Sequence, residues 1–123
     1  MLKDKTSSAI VAVSDLARAR NFYETVLGLD VASDAMGEVA EYRTGATRLM
    51  IYASDYAGTN QGNAVVWDCG GDIDDIVATL KQRGVTFEHY EGMERDGDVH
   101  LAEGMRLVWL KDPDGNILHL TGE

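Results

Sequence analysis

The feature of the sequence that most constrains its fold is an internal repeat. In the first half of the chain, a β-branched run at Ala9–Val13 is followed by a segment with apolar residues at helical spacing, from Leu16 through Phe22 to Val26. Gly28 then ends the predicted helix. The same order of strand, amphipathic helix and glycine returns about half a chain later. Such self-similarity predicts two copies of one supersecondary unit.

The second copy begins with a predicted strand at Ala64–Trp67 and ends its helix at Gly84. Ser14 and Asp15 are suited to cap the first helix, and Asp72 is suited to cap the second. The apolar stripe of the second helix consists of Ile73, Ile76, Val77 and Leu80.

Three further strands are predicted after each helix. They lie at Leu29–Ala32, Val39–Thr44 and Thr47–Ala53 in the first half, and at Val85–His89, Met105–Lys111 and Ile117–Thr121 in the second. The pattern predicts an α+β fold of two tandem βαβββ modules, about residues 5–60 and 61–123 of one domain. A hairpin turn is expected at Asp112–Asn116, and a long loop at Glu91–Gly104 with a possible short strand near Val99–Ala102.

Composition restricts the function. The formal net charge of −10 repels phosphate backbones and anionic membrane surfaces, so neither nucleic acid nor a membrane is an expected partner, whereas a cationic ligand is tolerated. The single cysteine, Cys69, excludes an intramolecular disulfide. No apolar run is long enough to span a membrane and Met1–Ser8 does not resemble a signal peptide, so a cytoplasmic location is expected.

Several motifs resemble a known family. The segment Val13–Tyr23 followed by Val26–Leu29 resembles the opening module of the vicinal oxygen chelate superfamily, which includes glyoxalases, bleomycin-resistance proteins and extradiol dioxygenases. Asp72–Gly84 resembles its second helix, and Lys111–Leu118 resembles its final hairpin. The resemblance covers the whole chain and implies the two-module fold, but that fold hosts unrelated activities. Tyr42–Gly45 with Ala57–Gln61 is similar to a bacterial subgroup described only as glyoxalase-like.

The resemblance also implies where a metal would bind. Enzymes of this family hold one divalent ion through histidine and glutamate side chains on the first, fourth, fifth and eighth strands. The corresponding positions here are Ser8, Met50, Ala64 and His119. Only His119 is a good ligand, so we expect no metal cofactor. The alternative is that the long loop adds ligands, for which the candidates are His89, His100 and Glu103; for both histidines, an exposed polar position is the competing interpretation.

Strand alternation assigns the ligand-binding candidates. If His119 faces the pocket expected on the concave faces of the sheets, the alternate residues of the first and fourth strands face it too, and Trp109 lies on the adjoining strand. Each aromatic side chain is able either to stack on a flat ligand or to pack in the core. Trp67 is expected beneath the second helix. The candidates are His119, Trp109, Ser8, Ile10, Arg48, Met50, Tyr52 and Tyr42.

Two functions remain open from the sequence. The first is a metal-free small-molecule-binding protein resembling bleomycin-resistance and antibiotic-sequestering proteins, with an aromatic or cationic ligand. The second is a glyoxalase-like or dioxygenase-like enzyme with an atypical or cofactor-free site, in which His119 is the only catalytic candidate, as a general base. No motif suggests a nucleophilic triad. Chains of this length in the family commonly pair, so a homodimer is expected.

Overall fold

Two compact units, Met1–Thr59 and Asn60–Glu123, make up the computed structural model, which describes residues 1–33 and 38–123. Each unit contains a mixed β-sheet and one helical segment, which confirms the α+β fold with a βαβββ module in each half of the chain. In the described residues, no helix is both long enough and apolar enough to cross a membrane.

The first module is a four-stranded sheet with one helical segment. Its strands are β1 (Ala9–Val13), β2 (Asp30–Ser33), β3 (Val39–Thr44) and β4 (Thr47–Ala53), in the order β1-β4-β3-β2. Strands β1 and β4 are parallel. The helix α1 (Leu16–Arg20) continues as a π-helix over Asn21–Val26.

Both predicted ends of the first helix are confirmed. The Asp15 carboxylate accepts a hydrogen bond of 3.1 Å from the backbone N–H of Arg18, which satisfies one of the free donors of the first turn. Gly28 follows the π-helix with φ of 73°, a backbone conformation that glycine adopts without the steric cost of a Cβ atom. The buried residues of β1 and β4 include Val11 and Ile51. They lie on the opposite face of the sheet from Ile10.

The second module has six strands. They are β5 (Asn63–Asp68), β6 (Phe87–Glu88), β7 (Glu94–Asp96), β8 (Val99–Ala102), β9 (Met105–Lys111) and β10 (Ile117–Gly122). Their order is β5-β10-β9-β8-β7, and β6 also pairs with β9. A 3-10 turn at Gly70–Asp72 leads into α2 (Ile73–Gln82), which lies against the face of β10 that carries Leu118, Leu120 and Gly122.

Expectations for this module were wrong at three places. The segment Glu91–Gly104 was predicted as a loop with a short strand near Val99–Ala102; that strand is present as β8, but the segment also contains β7, which pairs with β8 in a hairpin, and β8 continues the sheet beside β9. The strand predicted at Val85–His89 is shorter and covers only Phe87–Glu88. Asp72 precedes α2, but its side chain makes no capping hydrogen bond, since the 3-10 turn enters the helix without the extended backbone that a capping side chain requires.

The turn predicted at Asp112–Asn116 is confirmed, and the Asp112 side chain organises it. Its carboxylate accepts hydrogen bonds from the backbone N–H groups of Asp114 and Asn116 and from the Asn116 side-chain amide, at 2.8 to 3.0 Å. Both Asp112 and Asn116 are buried. Because buried polar groups need partners, this local network fixes how β9 joins β10.

Candidate functional site

The second module carries a row of stacked rings. Trp109 on β9 lies directly opposite His119 on β10, and their ring centroids are 4.5 Å apart with the planes 15° from parallel. This separation is close to the distance between neighbouring strands, so the two rings stand side by side across the sheet. The alternate residues Val108, Leu118 and Leu120 are buried on the helix side. The rings therefore occupy the face of the sheet that is turned away from α2.

The orientation of His119 is fixed by its own sheet. Nδ1 of His119 donates a hydrogen bond of 3.0 Å to the backbone carbonyl of Val108, which is able only to accept. In the neutral imidazole, Nε2 is then an acceptor. Among residues 1–33 and 38–123, no side chain or backbone group pairs with this Nε2, so it is available to a ligand.

One end of the row is closed by two more rings. His100 on β8 and Tyr90, which follows β6, each meet Trp109 edge to face, with centroids 5.0 and 5.1 Å away. The backbone N–H of Tyr90 donates a hydrogen bond of 2.9 Å to Nε2 of His100. We call the set Trp109, His119, Tyr90 and His100 the ring row. Its edge-to-face and stacked contacts are the geometries that aromatic side chains prefer.

His100 is the most buried member of the ring row. It has no exposed surface, so the expectation that it is an exposed polar residue was wrong. Burial lowers the pKa of His100, and the opposing carbonyl of Leu107 offsets part of that effect. In the described part of the chain, its Nδ1 has no hydrogen-bond partner. The Tyr90 N–H bond and the burial both favour the neutral imidazole.

The other end of the ring row is open. Val66 on β5 lies directly opposite His119, on the same face, and 60% of it is exposed. A third ring placed one strand spacing beyond His119 would stand over Val66. We call this place, beside His119 and above Val66, the open position. Tyr90, by contrast, is 38% exposed at the closed end.

Four of the candidates in the first module lie on one face of their sheet. Ile10, Arg48, Met50 and Tyr52 all alternate with the buried residues of β1 and β4, as predicted. Ile10 is opposite Met50 and 59% exposed, which makes this pair equivalent in register to Val66 and His119.

Polar contacts already engage part of this face. Arg48 forms an ion pair of 3.1 Å with Glu41, the residue that lies opposite Met50. Ser8 shares a hydrogen bond of 3.3 Å with the Thr47 hydroxyl. The first module therefore has an ion pair where the second module has stacked rings.

Tyr42 is not part of an exposed site. It has no exposed surface, its ring stacks on Tyr23, and its hydroxyl donates a hydrogen bond of 2.9 Å to Glu24. Burial raises the pKa of Tyr42, and the Glu24 carboxylate raises it further. The hydrogen bond from Arg20 in turn lowers the pKa of Glu24. Tyr42 was able either to stack on a ligand or to pack in the core, and the structure supports core packing.

The hairpin of β7 and β8 is attached to the rest of the second module through polar contacts. Asp98 lies in the turn between β7 and β8, and its carboxylate accepts hydrogen bonds from Lys81 of α2 at 3.1 Å and from His89 at 2.8 Å. Arg95 completes the chain by donating to the other ring nitrogen of His89 at 3.1 Å. The hydrogen bond from His89 is the main reason that the pKa of Asp98 is lowered. These contacts hold the hairpin that brings His100 to Trp109.

Comparison of the sequence with known proteins shows the family of this chain. Residues 6–120 match the family model of the Glyoxalase/Bleomycin resistance protein/Dioxygenase superfamily. The chain belongs to this superfamily. It is also 31% identical to the uncharacterized protein YetH of Bacillus subtilis (strain 168), an alignment that covers 89% of this chain and 91% of YetH.

Solved structures of other superfamily members share the fold. A lactoylglutathione lyase from Agrobacterium tumefaciens superimposes with a TM-score of 0.74 at 16% identity, covering 99% of this chain and 96% of that one. A glyoxalase/bleomycin resistance protein/dioxygenase from Alicyclobacillus acidocaldarius gives 0.73 at 20% identity, with 97% and 91% covered. At these identities the likeness establishes the fold alone.

The residues at the superfamily's metal positions do not fit a divalent ion. The first module offers the Ser8 hydroxyl and the Met50 thioether, and the second offers Ala64 and His119, so one imidazole stands where four imidazole or carboxylate ligands are expected. The pairing of β10 with β5 skips Ala64 at an irregularity in the register. Among the residues that the structure describes, no three histidine, cysteine or acidic side chains are grouped for metal binding.

Proposed function

We propose that this superfamily member binds a planar small molecule without a metal, by stacking it on His119 in the open position. The observation that carries the proposal is the ring row itself, which ends at an exposed valine one strand beyond His119. A flat aromatic ligand would extend an existing stack and cover Val66. Small-molecule sites typically combine such apolar surface with a few oriented polar groups, here Nε2 of His119.

A positive charge on the ligand is favoured by the surroundings. Asp68 follows Val66 by two residues on the same face of β5, opposite Thr121, and it is exposed. The chain carries a formal net charge of −10, which attracts cations at long range. A planar aromatic cation therefore combines the two features that the second module offers, stacking on His119 and attraction to a carboxylate.

The test uses proflavine, a planar aromatic cation, and a Trp67→Phe background in which Trp109 is the only tryptophan. Trp67 lies opposite the buried Leu120, on the helix side of the sheet, so its replacement leaves the ring row in place. We expect saturable quenching of Trp109 fluorescence. Val66→Phe places a protein ring in the open position and should weaken binding at least about tenfold. Val66→Thr has the same shape without the ring and should bind within about twofold of the parent.

Two further variants separate stacking from hydrogen bonding. His119→Phe keeps a stackable ring and removes Nε2, whereas His119→Ala removes both. If stacking carries the affinity, the phenylalanine variant binds much better than the alanine variant. Equal binding by Val66→Phe and Val66→Thr, with native circular dichroism in both, would refute the proposed location. Binding that requires added zinc, nickel, manganese or iron would refute the metal-free proposal.

An enzyme with an atypical site is the second candidate, because the Val108 contact leaves Nε2 of His119 available as an acceptor for a proton. This candidate predicts turnover of a glyoxalase or dioxygenase substrate that is lost in His119→Phe, although that variant retains stacking. The homodimer expected from the sequence stays a prediction, and light scattering at micromolar concentration tests it.

A further inference from the structure

His100 lies on β8 and links the hairpin of β7 and β8 to the other members of the ring row. Its Nε2 accepts the Tyr90 N–H, its ring meets Trp109 edge to face, and its side chain is fully buried. Trp109 in turn stacks on His119, the ring on which the proposed ligand rests. His100 is thus two rings removed from the open position and touches no ligand placed there.

We infer that His100 is a positioning residue for the binding face, whose uncharged imidazole keeps Tyr90 and Trp109 in place so that His119 stays correctly stacked. The inference rests on the proposed function and adds how that site is organised and regulated. Protonation would place an N–H on Nε2, 2.9 Å from the donor N–H of Tyr90. Two donors cannot form that hydrogen bond, and the charge would be buried. The segment after β6 would then move, and Trp109 would lose both of its edge contacts.

The surroundings of His100 oppose its protonation. The ring centroid of His89 is 6.2 Å from that of His100, and Arg95 on β7 is the register partner of His100. Both neighbours lower the pKa of His100. Asp98 is the nearby acid of the hairpin, but it is held by His89 and Lys81. On β9 the register partner is the uncharged Leu107. Burial remains the largest cause of the lowered pKa.

The first arm of the test needs no ligand. Nuclear magnetic resonance between pH 8 and pH 5 follows the ring nitrogens of His100, the amide of Tyr90 and the indole N–H of Trp109. We expect the three to titrate together, with a midpoint below the ordinary histidine value of 6.5. In His100→Gln, whose side-chain oxygen is able to accept the Tyr90 N–H without titrating, the Tyr90 and Trp109 signals should stay constant.

The second arm measures proflavine affinity at pH 7.5 and 5.5, where the probe stays cationic. Because the midpoint lies below 6.5, the parent should bind more weakly at the lower pH, by less than about tenfold. His100→Gln, which keeps an acceptor for Tyr90 but loses the ring beside Trp109, should lose the pH dependence. His100→Leu lacks both the acceptor and the ring, and should bind more weakly than His100→Gln at both pH values. His89→Gln removes a second of the three histidines but leaves His100 in place, so it should retain a pH dependence, with the midpoint raised because His89 lowers the pKa of His100.

The outcomes separate this inference from the proposed function. A pH dependence that persists in His100→Gln, or parent-like binding by a folded His100→Leu, overturns the positioning role. If the parent binds no probe while Tyr90 and Trp109 still titrate with His100, the proposed function fails and the positioning role stands. If proflavine binds but the three signals titrate independently, the binding site stands and the inference is wrong.

Discussion

Gly122 is the position at which adding a single methyl group should damage the second module most clearly. It is the last residue of β10, and a Cβ atom there would lie 2.5 Å from Cβ and 2.6 Å from Cγ2 of Ile73. The same atom would lie 2.7 Å from the backbone oxygen of Gly70. Ordinary carbon contacts are about 3.5 to 4.0 Å, so an alanine at position 122 forces the start of α2 away from the sheet by about 1 Å.

The expected cost of Gly122→Ala is about 1 to 3 kcal/mol of unfolding free energy, the usual range for inserting a methyl group into a packed interior. Relief by side-chain rotation is blocked, because two of the three nearest atoms are a Cβ and a backbone oxygen. For a chain of this size, about 4 °C of melting temperature is lost per kcal/mol, which gives a decrease of about 4 to 12 °C.

Gly71→Ala is the matched control for this measurement. A Cβ atom at Gly71 meets nothing within 4 Å, and the residue does not have a positive φ. The alanine should therefore raise stability by about 0.4 to 1 kcal/mol through the unfolded chain. Both variants are compared by thermal and urea unfolding. The reasoning is refuted if Gly122→Ala melts at or above the parent temperature, or if Gly71→Ala is the more damaging of the two.

Two more predictions concern buried polar groups. Tyr42→Phe removes the hydroxyl that donates to the Glu24 carboxylate, and it should lower the free energy of unfolding in urea by about 1 to 2 kcal/mol. Its proflavine affinity should stay within about twofold of the parent, and a large loss of affinity would show that Tyr42 belongs to the binding site. Because the pKa of His100 is lowered in the folded chain, the unfolded state takes up the proton first, so this contribution to stability is present above pH 6.5 and is lost as the pH falls from there toward the lowered value. Unfolding free energies measured between pH 8 and pH 5 should show this decline in the parent and a smaller decline in His100→Gln.

Local patterns predicted most of the fold. The bounds of β1, β3, β4 and β9 agree with the expected strands, because each is a run of alternating or β-branched residues that ends at a turn. The short strand near Val99–Ala102 was expected and is β8, but β7 and its pairing with β8 were missed, since charged and glycine-rich sequence such as Glu91–Asp98 resembles a loop until a neighbouring strand is present to pair with it. Tertiary pairing, rather than local preference, formed those strands.

The candidate site was predicted in part. Alternation placed Trp109 and His119 on neighbouring strands, and the structure shows them stacked. Val66 was missed because only the register of β5 against β10 reveals that it stands opposite His119. Tyr90 was missed, and His100 was considered only as a metal ligand or an exposed polar residue, because the hairpin that brings His100 to Trp109 was not predicted. A clue existed in the sequence, namely Tyr90 immediately before the predicted loop and His100 within it, close to the strand that carries Trp109.

The equivalent registers of the two modules make the chain a scaffold for grafting. Ile10, Met50 and Glu41 form the same cross-strand line in the first module that Val66, His119 and Trp109 form in the second. Transplanting the rings by Met50→His and Glu41→Trp would ask whether a sheet with this geometry is sufficient to build the stack. An engineer would then have two copies of one recognition element within 123 residues.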